Sequence, residues 1–258
     1  MDYFEKLEKN PYEDLKWNIP ERKQGTVNVI GGNSNHFRTE VNTAEFLSAN
    51  YPIEKVNVVL PDSLKNKLPL LDNFVFLPST DSGSLAESQE IIDIINTVDF
   101  NLVIGDLSKN KVTGKALANA CRRAEKMTLV TRDSVDALAE SEPEKILMNE
   151  NLIVMASIPQ LVKLLHAVYY PKMLLQSQSL VQVSDVMHKF TLSYPVRVVT
   201  LHNEQVLIVE NGNVKAVPLS LTGYSPMTFW LGEPASKIVA MNLFNPNNFV
   251  KATISSLF

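Results

Sequence analysis

The chain has 258 residues, 45% of them hydrophobic, and a formal net charge of −4. This length and composition suit one large α/β domain with a substantial core, and no stretch is basic enough to make nucleic acid a main partner. The single cysteine, Cys121, excludes an intramolecular disulfide and a cysteine-rich zinc site. Because it lies in a helical pattern, we predict a small buried side chain.

The first residues, MDYFEKLEKNPYEDLKW, are charged and lack the apolar centre of a secretory signal. No run of 18 apolar residues follows, so we predict no membrane segment and a cytoplasmic protein. Residues 1–24 are predicted to form a polar arm with a short amphipathic helix, and residues 25–258 a single domain.

Six short apolar or β-branched runs come next, and helical patterns separate most of them. The runs cover residues 27–30, 56–60, 74–77, 102–104, 128–130 and 152–155. Near-continuous apolar runs are typical of parallel strands whose sheet is covered on both faces.

Two helix starts can be read, one between these runs and one directly after the last. Ser84 and Glu87 have the spacing of a capping box before an isoleucine-rich face. Ser157 is a predicted N-cap, with Pro159 in the first turn of the following helix.

The last third of the chain changes in character. The segments VRVVTL, QVLIVE and NVKAVPL read as strands, and Asn211-Gly212 is a strong hairpin signal between the second and third. A helical region follows, broken near Pro246. The element order predicts a three-layer αβα domain with a mostly parallel central sheet and an antiparallel hairpin at its C-terminal edge.

Ligands of open parallel sheets bind beyond the carboxyl ends of the strands. The first such loop reads Gly31-Gly32-Asn33-Ser34, which matches neither a Walker A loop nor GxGxxG. Either its backbone N–H groups hold an anion together with the next helix N-terminus, or it is a tight strand-to-helix turn.

Two later loops carry carboxylates. Asp106 follows Gly105 and either holds a metal ion or a hydroxyl or, as we favour, caps the next helix or faces solvent. Asp133 lies at a strand end, where catalytic carboxylates are often found, but a loop or cap role is equally compatible. The four histidines do not cluster and no HExxH or Cys/His spacing occurs, so we predict no protein-built metal site.

The element order and these loops resemble the ribokinase-like superfamily, most closely the ADP/ATP-dependent NAD(P)H-hydrate dehydratases, also called the YjeF C-terminal or carbohydrate kinase-like group. In VNVIGGNSN, Gly31 and Gly32 match a Gly-Gly-Ser loop. In LVIGDLSKN, Gly105 remains where the family has Gly-Pro-Gly-Leu-Gly. In LVTRDSVDAL, Asp133 falls on the second Asp of Asp-Ala-Asp-Ala-Leu-Asn.

Other matched positions have lost the family's residues. Ser157 and Gln160 take the His and Glu positions of Thr-Pro-His-Pro-Gly-Glu, and Leu201-His202 stand in for Lys-Gly. The family's Gly-Thr-Gly-Asp, which supplies an anion hole and a catalytic Asp at a helix start, is matched to LTGYSPM. Thr222 and Gly223 survive there, and Met227 takes the Asp position.

The resemblance implies a ribokinase-like scaffold with an impaired catalytic centre, because Met227 cannot act as a base and Pro226 offers no N–H. The ligand-binding positions it implies are Gly31, Gly32, Asn33, Ser34, Gly105, Asp106, Asp133, Thr222 and Gly223. Its implied ligands are ATP or ADP with Mg²⁺, or an NAD(P)H-like molecule, and a homo-oligomer is expected.

Three functions therefore remain open. The first is a pseudoenzyme that retains nucleotide binding. The second is an active NAD(P)H-hydrate dehydratase or small-molecule kinase whose catalytic carboxylate has moved to Asp106 or Asp133. The third is a structural subunit of a complex.

Overall fold

The computed structural model describes residues 2–69, 71–107 and 109–258. Its strands are β1 Phe4–Lys6, β2 Thr26–Gly31, β3 Lys55–Pro61, β4 Phe74–Leu77, β5 Phe100–Gly105, β6 Met127–Thr131, β7 Leu152–Met155, β8 Arg197–His202, β9 Gln205–Glu210 and β10 Asn213–Pro218. Its α-helices are α1 Arg38–Asn50, α2 Gln89–Asn96, α3 Lys111–Arg122, α4 Asp133–Glu140, α5 Pro143–Leu147, α6 Ile158–Ala167, α7 Leu180–Ser193, α8 Gly232–Phe244 and α9 Phe249–Leu257. Each of the six apolar runs lies inside one of the strands β2 to β7.

All ten strands form one sheet, in the order β1-β10-β9-β8-β7-β6-β5-β2-β3-β4. The strands from β8 to β4 along this order are parallel, while β9 is antiparallel to both β8 and β10. The hairpin prediction at Asn211-Gly212 is confirmed. The carboxyl ends of β2 to β8 and of β10 consequently meet at one edge of the sheet, which is where a ligand site is expected.

Helices cover both faces of the sheet. One buried cluster joins the sheet to α2 through α7, and a second joins it to α1, α8 and α9. Cys121 of α3 is fully buried in the first cluster, as predicted, and burial raises the pKa of its thiol to about 12. The described helices include none that is both long and apolar enough to cross a membrane.

The first 24 residues contribute to this domain at its edge. Phe4–Lys6 pairs in parallel with β10, and a 3-10 helix spans Glu13–Asn18. The ring of Tyr3 stacks on that of His188 in α7 at a centroid distance of 3.8 Å.

One predicted helix start is confirmed and one is wrong. Ser157 and Gln160 form a capping box at the start of α6, where Gln160 Oε1 accepts from the Ser157 N–H at 3.1 Å. Ser84 caps no helix, because it lies buried in a short bridge to Asn33 and α2 begins only at Gln89. The backbone pairing of Ser84 with Asn33 in the β2 loop therefore prevails over the capping-box pattern in the local sequence.

Candidate functional site

The loop after β2 is held by its own hydrogen bonds. The N–H of Gly32 donates to the Gly105 carbonyl, that of Asn33 to the His36 carbonyl and that of Ser34 to the Gly83 carbonyl, at 2.7–2.9 Å. Because these donors are occupied within the protein, the arrangement is that of a structural turn.

The buried Asn33 side chain organises this turn. Its Oδ1 accepts from the N–H groups of Asn35 and His36, at 2.9 and 3.2 Å. Its Nδ2 donates to the Asp106 carbonyl at 2.6 Å. Asn33 thereby links the two candidate ligand loops, the one after β2 and the one after β5, by a direct hydrogen bond.

The loop after β5 is occupied by a carboxylate of the chain itself. Asp133, at the start of α4, accepts from the Asp106 N–H through Oδ1 at 2.8 Å and from the Leu107 N–H through Oδ2 at 2.9 Å. Gly105 has a φ of +111°, and a Cβ there would overlap Asp133 Oδ1. The Asp133 side chain therefore takes the place that an anionic ligand of this loop would need.

Asp106 does not cap the following helix, so the cap that we favoured is wrong, and its side chain is only 20% exposed. The cap of α3 is Asn110, whose Oδ1 accepts from the N–H groups of Val112 and Thr113. Asp106 instead forms an ion pair with Arg132 of the β6 loop, at 3.0 Å between Oδ1 and Nη2. Both residues have positive φ values, 56° and 58°, which few non-glycine residues adopt.

Arg132 also reaches helix α1. Its Nη1 lies 3.5 Å from Thr39 Oγ1 in the first turn of that helix. A single guanidinium thus connects the loops after β5 and β6 with the start of α1.

Glu40 is the site residue that sequence reasoning missed. Its side chain is fully buried, and neither carboxyl oxygen has a hydrogen-bond partner among the described residues. Burial raises the pKa of this carboxyl to about 8. The residue's own backbone N–H and the charge of Arg132 oppose the rise, and nearby Asp106 adds to it. The sequence carried a signal, because Glu40 shares the buried stripe of α1 with Thr43, Ala44 and Leu47.

A cleft of about 430 Å³ opens at the carboxyl ends of β6 and β7. Its lining residues are Arg132, Asp133, Asp136, Ser157, Pro159, Gln160, Lys163 and Trp230. Gln160 Nε2 donates to the Arg132 carbonyl at 2.6 Å and to Asp136 Oδ2 at 3.1 Å, and Lys163 pairs with Asp136. The cleft lining therefore combines two cations, Arg132 and Lys163, two carboxylates, Asp133 and Asp136, and the aromatic ring of Trp230.

The segment between β10 and α8 uses its backbone donors locally. Ser225 and Thr228 each accept, through the side-chain oxygen, from the N–H of the other, at 3.1 and 2.8 Å. Thr222 Oγ1 accepts from the Tyr224 N–H at 3.3 Å. Gly223 adopts a left-handed φ of +73° and would have open space around a Cβ.

Met227 lies outside the helix start at which the resemblance had placed it. Its side chain is 85% exposed, and α8 begins only at Gly232, five residues later. The carboxylate in the first turn of α8 is that of Glu233.

Glu233 is already engaged by neighbouring side chains. Its Oε1 accepts from Tyr224 Oη at 2.9 Å and lies 3.0 Å from Lys237 Nζ. Partial burial would raise the pKa of Glu233, but the hydrogen bonds from Lys237 and Tyr224 outweigh it and lower the pKa. A carboxylate held ionised by two donors is a weak proton acceptor.

Several of the backbone donors that the resemblance implies for phosphate binding are already engaged or missing. The described part of the chain contains no group of three His, Cys, Asp or Glu side chains that could hold a metal ion. The N–H groups of Asp106 and Leu107 are taken by Asp133, and Pro226 and Pro234 have none to offer.

No protein-family model matches the sequence, and no curated protein matches it significantly. Solved structures do match. Protein SMU.573 from Streptococcus mutans superposes with a TM-score of 0.66 at 12% identity, over 95% of this chain and 86% of that one.

An ADP/ATP-dependent NAD(P)H-hydrate dehydratase from Bacillus subtilis, co-crystallised with ATP and Mg²⁺ and soaked with CoA, gives a TM-score of 0.63 at 13% identity, over 97% and 86% of the two chains. A pyrophosphate-dependent kinase of the ribokinase family gives 0.57 at 11% identity, over 90% and 92%. The predicted ribokinase-like fold is therefore confirmed. At identities of 11–13%, the similarity concerns the fold alone.

Proposed function

We propose that this protein is a catalytically impaired, ribokinase-like relative of the NAD(P)H-hydrate dehydratases that binds a nucleotide-type ligand without turning it over. The observation that carries the proposal is the Asp133 carboxylate seated on the N–H groups of Asp106 and Leu107. Phosphoryl transfer and ATP-dependent dehydration need such donors to face the phosphates, together with a free carboxylate base.

Three carboxylates at the sheet edge are paired with cations, which supports the loss of catalysis. Asp106 pairs with Arg132, Asp136 with Lys163, and Glu233 with Lys237. A general base alone is worth about 10²–10⁴-fold in rate. The alternative of an active enzyme with a relocated carboxylate requires Asp106 to leave Arg132, or Asp133 to leave the N–H groups of Asp106 and Leu107.

Ligand binding is assigned to the cleft at the ends of β6 and β7. Trp230 offers an aromatic wall, and Lys163, whose side chain is 63% exposed, offers a cation that would exchange Asp136 for the ligand. A ring-bearing anion such as ADP suits both groups. Self-association and a cytoplasmic location remain predictions of the same proposal.

The test combines a thermal shift with an activity assay. ADP or ATP with Mg²⁺ at 100-fold its Kd is expected to stabilise the protein by about 2.7 kcal/mol, without turnover of hydrated NADH. Lys163→Ala is expected to weaken the shift. Lys145→Ala is the matched control, because Lys145 is similarly exposed and also pairs with a carboxylate, Glu142, outside the cleft.

Two outcomes contradict the proposal. Turnover that Met227→Ala leaves intact and Asp133→Asn abolishes would establish an active enzyme with a relocated carboxylate. The absence of a shift with either nucleotide would remove retained nucleotide binding and favour a structural subunit.

A further inference from the structure

We propose that a second cavity, between helices α3 and α4, binds polyphosphate through Lys109 and Lys111. The terminal phosphates of a nucleotide in the neighbouring β6–β7 cleft would lie there. The inference deepens the proposed function and rests on it, because the nucleotide ring is assigned to the cleft. It adds a preference for ligands with a long phosphate chain.

The cavity has a volume of about 390 Å³ and lies between the start of α3 and helix α4. Part of its lining is apolar, since the side chains of Leu107 and Ala137 are buried there and Gly114 has no side chain. A Cβ on Gly114 would lie 3.2 Å from the Cβ of Ala137, so the two helices approach closely at this point. The cavity is therefore bounded by two packed helices.

The cavity and the β6–β7 cleft are neighbours with a common border. Asp133, Asp136 and Lys163 line both of them. Lys163, which pairs with Asp136, thus stands between the two spaces. For a ligand whose ring contacts Trp230 and whose first phosphate meets Lys163, the cavity is the adjacent space for the remaining phosphates.

The carboxylates in the lining of the cavity are engaged in the chain without ligand. Asp133 accepts from two backbone N–H groups, and Asp136 accepts from Lys163 and Gln160. The hydrogen bond and the charge of Asp136 raise the pKa of Lys163, burial opposes the rise, and the charge of Glu140 adds to it. Lys163 therefore answers the charges of both Asp136 and Glu140.

Lys109 and Lys111 are the cations of the lining that remain free to bind a ligand. Both are exposed, and neither forms an ion pair within the part of the chain that the structure describes. Between them, the Asn110 side chain accepts from the N–H groups of Val112 and Thr113. The donors for a ligand therefore come from the two ammonium groups, each a compact charge with three N–H donors that suits phosphate oxygens.

The test measures dissociation constants for AMP, ATP and inorganic tripolyphosphate by isothermal titration calorimetry in one buffer. The wild type is expected to bind ATP about tenfold more tightly than AMP, which corresponds to one charge-assisted hydrogen bond. The double variant Lys109→Gln, Lys111→Gln should lose this preference and should bind tripolyphosphate about tenfold more weakly than the wild type.

Lys115→Gln is the matched control, because Lys115 is an exposed lysine one turn further along α3 that lines a different cavity. It should keep the preference for ATP. The inference is overturned if the wild type shows no preference, if the double variant retains it, or if Lys115→Gln loses it to the same extent. Nucleotide binding in the cleft would stand in each of these cases.

A failure of the proposed function gives a different result, namely that neither AMP nor ATP binds. The phosphate site is then judged by tripolyphosphate alone. Tripolyphosphate binding that requires Lys109 and Lys111 would support the site without the nucleotide. Absent binding, or equal binding by the wild type and the double variant, would overturn it.

Discussion

Replacing Glu40 by leucine is expected to stabilise the protein, by an amount that grows with pH. Leucine has a similar size and suits the buried stripe of α1, where Glu40 has no hydrogen-bond partner among the described residues. The substitution removes a buried acid and adds apolar surface to the core.

The size of the effect follows from the pKa of Glu40. The unfolded chain releases this proton near pH 4.5, whereas the folded chain retains it up to about pH 8. Between these values the folded state binds more protons, so wild-type stability falls as pH rises, by at most about 1.4 kcal/mol per pH unit. The difference between leucine variant and wild type should therefore grow by about 5 kcal/mol from pH 4 to pH 9 and level off above pH 8.

The assay is urea unfolding followed by circular dichroism at five pH values, with both proteins measured in the same buffers. Glu45→Leu is the matched control, because Glu45 lies on the exposed side of the same helix. A constant difference between wild type and Glu40→Leu across the pH range would refute the reasoning, since it would mean that Glu40 titrates alike in the folded and unfolded chains.

Two further predictions concern the sheet edge and the core. Gly105→Ala should lower the free energy of unfolding by about 3 kcal/mol or more, because its Cβ would displace the Asp133 carboxylate. Gly223→Ala should lower it by about 1 kcal/mol, for the left-handed φ alone. Chemical denaturation measures both, and equal losses would contradict the role given to Asp133. The Cys121 thiol should resist alkylation at pH 8 in the native protein and react in urea, because burial raises its pKa to about 12. Rapid labelling without denaturant would contradict this and show that α3 opens locally.

The sheet was predictable because its signals are local. Each strand from β2 to β7 is a short apolar run, and Asn211-Gly212 specifies its hairpin by turn chemistry alone. Ser157 is another local signal, since its capping box needs only Gln160, three residues away.

The site was less predictable because it is built from contacts between distant segments. Asp133 was recognised as a strand-end carboxylate, but its acceptor role depends on the Asp106 and Leu107 N–H groups, which come from a neighbouring loop. Met227 was placed at a helix start on the strength of a motif match, whereas the 3-10 helix Thr228–Trp230 intervenes before α8. Glu40 was overlooked because a lone carboxylate in a helix normally faces solvent.

The short strand β1 has a consequence for handling the protein. Its pairing places Tyr3 and Leu7 on β10, where the Tyr3 carbonyl accepts from Val214 and the Leu7 N–H donates to Ala216. Deletion of the first seven residues would uncover the hydrogen-bonding groups of β10, and exposed strand edges recruit further strands. A protein that lacks these seven residues should therefore be more prone to aggregate than one that retains them.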